Sequence, residues 1–327
     1  MRRSAVPRII LRRLVAAVPL LLGVIVINFC LIQAAPGSFM DVMTSDSQVT
    51  DPAMIDHLRQ VYGLDKPAWM QLLHYVWSIV QGDFGYSYRQ NQPVLDAILE
   101  RAPATLLLMV SGLALAAVIG ITAGILASLA VGTVWDSVIT GIALLCFAAP
   151  SFWLGLMLIV LFAVKLEWLP VGGLQTIGGP GGGGGMVLDV ARHLVLPALS
   201  LGLFYAAFYT RVMRASMLDA LRMDFVRTAR AKGLGRARIV LAYAARNALL
   251  PVVTILGLQM GTVLAGSITI ETVFGWPGIG LLLLDSVMSR NYPVVLGILV
   301  LSATLVVLAN IAVDLLYMRL DPRIVLR

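Results

Sequence analysis

The side chains of this sequence best suited to bind a transition metal are three histidines, His57, His74 and His193. A zinc or nickel site needs several ligands that converge, and such sites usually show closely spaced pairs of His or Cys. These histidines are isolated from one another, and Cys30 and Cys146 form no C-x-x-C pair. We therefore predict no metal site, no disulfide framework and no thiol chemistry.

Two other patterns that support chemistry are incomplete. A membrane-embedded enzyme would need paired Asp, His-x-x-Glu or Ser with His inside apolar stretches, and these stretches contain no such group. The run GGPGGGGG at 178–185 shares only its glycine content with a phosphate-binding loop, because no Lys-Ser or Lys-Thr follows it. It also precedes no evident helix start, so we interpret it as a flexible insertion.

Acidic side chains beside apolar stretches are the remaining candidates. Glu271 and Asp285 flank a segment that contains Trp276 and Pro277. Acids close to a membrane often meet substrate cations, so Glu271 and Asp285 could contact the ammonium group of a substrate. The TVFGWPGIG segment could form an outer gate. The alternatives are solvated acids at helix ends and, for Trp276, an aromatic anchor at the membrane interface.

The composition is that of a membrane protein. Of the 327 residues, 59% are hydrophobic and 13% are charged, and the mean hydropathy is +0.91. Soluble domains are about half apolar and about a quarter charged, and too few charges are present here to cover so large an apolar core. We therefore predict an integral membrane protein.

Six apolar stretches are long enough to cross a hydrocarbon core of ~30 Å at ~1.5 Å per residue. Lipid offers the backbone no hydrogen-bond partner, so we predict an all-α integral membrane protein with six transmembrane helices. The first stretch exceeds the about 7–15 apolar residues of a signal peptide, which favours an uncleaved helix. Pro150 predicts a kink. The predicted spans are 14–33, 105–131, 138–164, 194–213, 249–270 and 294–316.

Positive charges predict the orientation, because Lys and Arg are retained in cytoplasmic segments. Six spans place both termini on one side. With Arg211 counted beside the loop that follows it, this side carries 17 of the 24 Lys and Arg residues. The predicted cytoplasmic segments are 1–13, 132–137, 214–248 and 317–327, although 132–137 itself carries no Lys or Arg. The extracytoplasmic segments are 34–104, 165–193 and 271–293.

Small residues and one outer segment add two local predictions. Glycines four residues apart in the second and fifth spans predict close helix packing; they are Gly120, Gly124, Gly257 and Gly261.

In the first outer segment, SDSQVTDPAMIDHLRQVYGLDKP predicts a turn and then an amphipathic helix with Ile55, Leu58 and Tyr62 on one face. The outer segment is therefore predicted to fold.

The segment DFVRTARAKGLGRARIVLAYAARNALLP, 224–251, concentrates five Arg and one Lys between two apolar spans. A topology anchor requires only a few such charges. Basic residues also attract anionic lipid, whereas a nucleic-acid role has no aromatic platform to support it. The pattern predicts a helix from Asp219 to Thr228, a break at Gly233 and Gly235, and a second helix from Arg236 to Leu249. This helix-turn-helix could enter a groove on a soluble partner.

Several of these stretches resemble inner-membrane permeases of binding-protein-dependent ABC importers, in the dipeptide, oligopeptide and nickel branch. RTARAKGL followed by RNALLP is similar to the cytoplasmic "EAA" loop of that family, and the long first outer segment resembles its B-type subunit. The resemblance extends over nearly the whole chain and implies the type I permease fold. The other similar stretches are YGLDKPAWMQLLHYV, GDFGYSYRQNQPVLDAILERAPATLLL, ETVFGWPGIGLLLLDSVMSRNYPVVLGILVL and DLLYMRLDPRI.

The resemblance implies a transport subunit without its own ATPase site, and no G-x-x-x-x-G-K-[ST] is present. Its implied partners are a second homologous permease, two ABC ATPase subunits that use ATP and Mg, an extracytoplasmic substrate-binding protein and membrane lipid, with no nucleic acid. This chain would bind no cofactor. The substrate stays open among peptides, nickel, glutathione and sugar-like solutes, with peptides as the default. A stand-alone carrier and a membrane enzyme are the alternative functions.

The resemblance also implies which residues couple this chain to an ATPase. At the positions of the Glu-Ala-Ala pattern the sequence has Arg227, Thr228 and Ala229, with Gly233 in place, so no Glu-mediated contact is implied. Gly233 would permit a tight turn, and Ala229 and Ala231 a close approach. The implied coupling residues are Asp224, Phe225, Arg227, Thr228, Ala229, Arg230, Ala231, Lys232, Gly233 and Leu234.

The resemblance also gives the outer residues a possible partner, because the family has an extracytoplasmic binding protein. The residues that could form an outer gate or contact that protein are Glu271, Trp276, Pro277 and Asp285.

Overall fold

A computed structural model describes residues 5–34, 66–87, 89–179 and 183–320. The described chain is mostly helical, and a short antiparallel ribbon joins β1 (Tyr86–Ser87) to β2 (Gln92–Pro93). Two π-helical segments, π1 (Ile159–Lys165) and π2 (Ile239–Ala244), interrupt the helices. The helices are α1 (Ala5–Ala34), α2 (Ala68–Val80), α3 (Val94–Leu129), α4 (Val134–Ala148), α5 (Ser151–Leu158), α6 (Gly183–Arg222), α7 (Asp224–Ala231), α8 (Arg236–Arg238), α9 (Ala245–Phe274), α10 (Ile279–Met288) and α11 (Tyr292–Leu320).

Five of the described helices are long and apolar enough to cross a membrane, and there are up to seven spans if each of two bent helix pairs forms one. The first bent pair is α4 with α5 and π1, and the second joins the end of α9 to α10. The six predicted spans correspond to the five long helices and the first bent pair. The prediction of a helical membrane protein is therefore confirmed.

The kink predicted at Pro150 is a complete break. Helix α4 ends at Ala148, and α5 begins at Ser151 in a direction that differs by 106°. Pro150 has φ −58° and ψ 139°, a conformation that ends one helix and starts another. Proline lacks the N–H that a continuous helix requires at this position, which explains why the helix does not continue.

Several helices extend beyond the predicted span boundaries. Helix α3 begins at Val94 instead of residue 105, and α6 continues through Arg222. Helix α6 starts at Gly183, so the expectation that the glycine run precedes no helix start is wrong. Helix α9 begins at Ala245, and Pro251 lies inside it. Hydropathy marks where a helix leaves lipid, whereas backbone hydrogen bonding decides where it ends.

The helix predicted around Ile55, Leu58 and Tyr62 lies outside the described residues. The chain divides into two compact units, one comprising Met1–Pro103 with Leu281–Ile311 and the other Ala104–Gly280 with Ala312–Arg327. In the first unit, the side chain of Asn291 donates a hydrogen bond of 2.8 Å to the Ser87 hydroxyl, and both residues are buried. This bond fixes the ribbon strand β1 to the turn that precedes α11.

The core of the second unit forms where α3, α6 and α9 pack together. Its largest fully buried side chains include Leu108, Leu201, Tyr209, Met213 and Trp276. The Tyr209 hydroxyl donates a hydrogen bond of 2.5 Å to the Gln259 side chain, so this polar group is satisfied between α6 and α9. The basic segment 214–248 and the TVFGWPGIG segment both belong to this unit.

Close packing between α3 and α6 depends on glycine, as the four-residue spacing predicts. A Cβ atom at Gly120 would lie 2.6 Å from the Cβ of Tyr209 and 2.9 Å from the Ala206 carbonyl oxygen. A Cβ atom at Gly124 would lie 2.6 Å from the Cβ of Met213 and 2.8 Å from the Thr210 carbonyl oxygen. The prediction of small-residue packing is thus confirmed for these two glycines.

Gly124→Ala is expected to destabilise the chain, because backbone and Cβ atoms of α6 would have to move. Overpacking of this kind costs about 1–3 kcal/mol. Gly141→Ala on α4 is the matched control, because a Cβ atom there meets nothing within 4 Å. Thermal unfolding in detergent should show a lower midpoint for Gly124→Ala and an unchanged or higher midpoint for Gly141→Ala. Equal midpoints would contradict the packing described here.

Candidate functional site at the basic loop and its supporting clusters

The basic loop begins with a break between two helices. Helix α6 ends at Arg222, Met223 adopts an extended conformation with φ −70° and ψ 154°, and α7 begins at Asp224. The single helix predicted from Asp219 to Thr228 is therefore wrong, because Met223 divides it. The helical spacing of apolar residues continues through Met223 in the sequence. The extended conformation of Met223 is visible only in the backbone of the structure.

One face of α7 is fixed to the rest of the loop by apolar contacts. Val226 and Ala229 are buried against Ile239 of π2, and Phe225 and Leu234 pack around them. Ala229 is 4% exposed, so its small side chain permits a close approach within this chain. Within this chain, the close approach implied for Ala229 is made to Val226 and Ile239. Ala231, by contrast, is exposed.

Gly233 forms the tight turn that the sequence predicts. Its φ is +72°, a left-handed conformation that residues with a side chain rarely adopt. Its N–H donates a hydrogen bond of 2.9 Å to the Arg230 carbonyl oxygen, and the N–H of Leu234 donates one of 3.2 Å to Ala229. These two bonds satisfy carbonyl groups at the end of α7, in the manner of a glycine helix cap.

The other face of the α7 turn is exposed and basic. The Arg227 guanidinium lies 3.7 Å from the Asp224 carboxylate, and these side chains are 80% and 96% exposed. An ion pair so exposed contributes little to stability, so both groups are available for an external partner. The exposed residues of this turn are Asp224, Arg227, Thr228, Arg230, Ala231, Lys232 and Gly233.

A cavity of about 410 Å³ opens beside this turn. Most of the residues that line it are apolar, and the two arginines Arg230 and Arg236 are among them. The cavity combines an apolar surface with positive charge, which suits a partner with an apolar side chain and a nearby acid. The remaining lining residues are Ser128, Leu129, Leu221, Leu234, Ile239 and Val240.

The second helix predicted from Arg236 to Leu249 is not one regular α-helix. The short helix α8 leads into the π-helical segment π2, and α9 starts at Ala245 and continues to Phe274. A π-helical turn holds one more residue than an α-helical turn and shifts the face that follows it. Ile239, Val240 and Ala244 of π2 are buried.

An ion pair that the sequence analysis missed lies near the end of α6. The Arg214 guanidinium donates two hydrogen bonds of 2.7 Å, from Nε and Nη2, to the two carboxylate oxygens of Asp136 at the start of α4. The Asp136 side chain is 12% exposed and the Arg214 side chain 29% exposed. This two-point contact fixes the orientation as well as the distance of α4 and α6. The isolated acid of the short 132–137 segment was the available signal.

Replacing either partner of this ion pair should destabilise the chain. Asp136→Ala and Arg214→Ala are each expected to lower the thermal midpoint, because each leaves the other charge without its two-point contact. The double variant should lose less than the sum of the single losses, since only one interaction is removed. Thermal unfolding of the four proteins measures this coupling, and additive losses would contradict a direct interaction.

Glu271 and Trp276 form a buried polar cluster. The Thr105 hydroxyl donates a hydrogen bond of 2.8 Å to the Glu271 carboxylate and accepts one of 2.8 Å from the Ile279 N–H. The Trp276 indole N–H donates to the Ala104 carbonyl oxygen at 2.8 Å. Both Glu271 and Trp276 are 0% exposed. These bonds attach the turn after α9 to α3.

The turn itself is shaped around the Glu271 carboxylate. A Cβ atom at Gly278 would collide with this carboxylate, and one at Gly280 would lie 2.6 Å from Ile268 Cα. The alternatives of a solvated Glu271 and of Trp276 as an interface anchor are therefore wrong, and neither residue offers a surface to a soluble protein. Pro277 is partly buried, and Asp285 of α10 is exposed.

The histidines do not come together within the described residues. His193 is buried, and its Nδ1 lies 2.9 Å from the Asp189 carbonyl oxygen one turn earlier in α6. His74 is exposed on α2, and His57 lies outside the described residues. Within the described part of the chain, no group of three or more His, Cys, Asp or Glu could hold a metal ion.

Comparison with known proteins decides the family. Residues 120–326 match the family described as binding-protein-dependent transport system inner membrane component. The chain belongs to this family. The matched residues include the complete basic loop as well as Glu271 and Trp276. Residues 6–109 match the corresponding N-terminal family of such membrane components, so the two matches together cover nearly the whole chain.

Relatives of this transport family align with the chain over almost its full length. The chain is 43% identical over 329 residues to a di/tripeptide transport system permease protein of Pseudomonas aeruginosa, with 96% of this chain and 98% of the relative covered. It is 40% identical over 332 residues to a dipeptide transport system permease protein of Escherichia coli, with the same coverage. An oligopeptide transport system permease protein of Bacillus subtilis is 40% identical over 316 residues, again with 96% and 98% covered.

Solved transporters share the fold. An amino acid ABC transporter crystallised with histidines gives a TM-score of 0.52 at 14% identity and covers 69% of this chain and 94% of its own. The MetNI methionine ABC transporter in an inward-facing conformation gives 0.53 at 18% identity and covers 69% and 97%. The chain is thus a multi-pass inner-membrane protein of the transport family with an ABC importer permease fold.

Proposed function

We propose that the chain forms half of the translocation pore of an ATP-driven importer and that its basic loop couples the pore to an ATPase subunit. The observation that carries this proposal is that the loop combines an exposed cationic surface with a buried apolar support. The side chains of Arg227, Arg230 and Lys232 are exposed. The helix that carries the first two packs on the buried apolar cluster of Val226, Ala229 and Ile239. A loop that served only as a topology anchor would need the charges but not this rigid support.

Force applied to the exposed face of α7 would be transmitted to the membrane helices. Val226 and Ala229 contact Ile239 of π2, and π2 continues directly into α9. At its other end α7 follows α6 after the break at Met223. Displacement of α7 by an ATPase therefore acts on both helices, because packed contacts move as a unit. The cavity at Arg230 and Arg236 would receive an apolar side chain and an acid of that ATPase.

The partners follow from the family. We propose a second homologous permease, two ABC ATPase subunits that bind ATP and Mg, and an extracytoplasmic substrate-binding protein. The substrate class that we propose is short peptides, because the relatives that cover nearly the whole chain are named as dipeptide, di/tripeptide and oligopeptide permeases. The chain itself would contribute no catalytic step.

The turn at Glu271, Trp276 and Pro277 is proposed to act as an outer gate element. Its support is the buried bond between Glu271 and Thr105, which ties the end of α9 to α3. Movement of α9 during coupling would strain or release this contact. Asp285 is exposed and is the member of the predicted outer set that a binding protein could contact directly.

Mild-detergent purification at native expression, with identification of all co-eluting proteins, tests the importer assignment. Recovery of a second six-span permease and of one or two P-loop ATPases is the expected result. Recovery of the chain alone in a stable form would favour a stand-alone carrier or a membrane enzyme. Uptake of labelled dipeptides into vesicles that contain the purified complex then tests the substrate class, with nickel and glutathione as the competing substrates.

A further inference from the structure

Helix α2 is uncharged and mostly apolar, although it is too short to cross a membrane. Its sequence AWMQLLHYVWSIV contains no Asp, Glu, Lys or Arg. Thirteen residues extend about 20 Å, less than the hydrocarbon core of about 30 Å. An apolar helix of this length belongs either in a protein core or in the membrane interface. None of its residues is buried, which excludes a core helix.

One stripe of α2 exposes large apolar side chains. Trp69, Leu73, Trp77 and Val80 are 60%, 61%, 61% and 69% exposed and follow one another at helical spacing. Each such side chain gains about 1.5–3 kcal/mol when it is fully removed from water. A stripe that contains two tryptophans is therefore unfavourable in water and suits a region that is apolar on one side and polar on the other.

The position of α2 against α1 places this stripe beside lipid. The ring centroids of Phe29 and Tyr75 are 6.4 Å apart, and the Gln33 side chain donates a hydrogen bond of 3.0 Å to Gln71. The two pairs are four residues apart on each helix and run in opposite directions. Helix α2 therefore lies antiparallel to the last turns of α1, at the end distant from Arg12 and Arg13.

Helix α1 is a membrane span whose exposed surface is also apolar. Val18, Ile27 and Leu31 are 54%, 60% and 57% exposed. Because α2 returns along the same stretch of α1, its exposed stripe continues this lipid-facing surface. Of the polar side chains of α2, Gln71 also donates a hydrogen bond of 2.8 Å to the Lys66 carbonyl oxygen, and His74 is exposed.

We propose that α2 is a lipid-embedded interfacial helix, which inserts its Trp69, Leu73, Trp77 and Val80 stripe into the leaflet at the C-terminal end of α1. This helix lies in the predicted extracytoplasmic segment 34–104. The helix anchors the start of the first outer segment to the bilayer, and the occupant of its exposed stripe is phospholipid. The proposal rests on α1 being a membrane span and on the contacts between α1 and α2. It does not depend on ATPase coupling or on the substrate.

Spin labels on the full-length chain in vesicles of phosphatidylethanolamine and phosphatidylglycerol test this proposal. Leu73→Cys and Trp77→Cys carry the label in a background with Cys30→Ser and Cys146→Ser. Val18→Cys on α1 is the lipid reference, and Arg89→Cys in the ribbon turn is the water reference. The measurement is the collision rate of each label with oxygen, which concentrates in lipid, and with a water-soluble nickel chelate.

Labels at Leu73 and Trp77 are expected to match Val18, with frequent oxygen collisions and few nickel collisions. A match to Arg89 would overturn the proposal, because the stripe would then face water. Low collision rates with both reagents would also overturn it, because a protein surface such as a second subunit would cover the stripe. Either label position suffices, so failure of one variant to fold leaves the test intact.

Discussion

Replacement of Gly233 by proline is expected to leave the chain in the membrane but to uncouple ATP hydrolysis from transport in the assembled importer. Proline requires φ near −65°, whereas Gly233 has φ +72°. It also removes the N–H that donates to Arg230. A left-handed conformation costs even a residue such as alanine about 1–2 kcal/mol, which is a factor of about 5–30 in an equilibrium. We therefore expect a loss of at least about fivefold in substrate transported per ATP.

The same position offers a graded series with a matched control. Gly233→Ala and Gly235→Ala add the same Cβ atom, and at both positions that atom meets nothing within 4 Å. Only Gly233 has a positive φ, because Gly235 has φ −62°. Gly233→Ala should therefore show a partial loss of coupling and Gly235→Ala none. Uptake and ATP hydrolysis measured in the same vesicles give the ratio.

Ala229→Glu changes a residue on the buried face of α7. Ala229 packs between Val226 and Ile239, and a carboxylate there would have no hydrogen-bond partner among apolar side chains. We expect α7 to leave π2 and coupling to be lost, with membrane insertion unchanged. Normal transport per ATP in both Ala229→Glu and Gly233→Pro would show that this loop is not the coupling element.

Glu271→Ala is expected to produce the second large effect, a loss of both stability and transport. Removal of the carboxylate leaves the Thr105 hydroxyl without its acceptor inside the second unit and opens a cavity beside Gly278. A buried polar group without a partner costs about 1–3 kcal/mol. The measurements are the thermal midpoint of the purified complex and peptide uptake at a temperature below that midpoint.

Glu271→Gln separates hydrogen bonding from charge. Its side-chain carbonyl oxygen can still accept the Thr105 hydrogen bond, and the side chain has nearly the same volume. We therefore expect near-normal stability for Glu271→Gln if the bond to Thr105 is what matters. A loss equal to that of Glu271→Ala would show that the carboxylate charge is required. Normal stability and transport of Glu271→Ala would show that the bond between Glu271 and Thr105 does not hold the end of α9 to α3.

Gly278→Ala provides an independent test of the same turn. The new Cβ atom would collide with the Glu271 carboxylate, so either the carboxylate or the turn must move. Gly184→Ala is the control, because its Cβ atom meets nothing within 4 Å. The stability losses of Gly278→Ala and Glu271→Ala should not add in the double variant, since both changes break one contact.

The class of the protein, its spans and its basic loop were determined by the sequence itself. An apolar content of 59% leaves lipid as the only solvent for so large a surface, and lipid requires helices. The turn at Gly233 was also predictable, because a glycine between two basic amphipathic stretches marks a change of direction locally. These properties depend on composition or on residues a few positions apart, which a sequence displays directly.

The break at Met223, the π-helical segment π2 and the supporting clusters were decided only by the tertiary structure. Glu271 was assigned to the surface because its partner Thr105 lies 166 residues away, and the Arg214–Asp136 pair joins residues 78 apart. An acidic side chain can be buried only where the packing of the helices brings a hydrogen-bond donor to it. Periodicity and charge carry no information on such pairings, because burial is a property of the packed helices and not of the chain position.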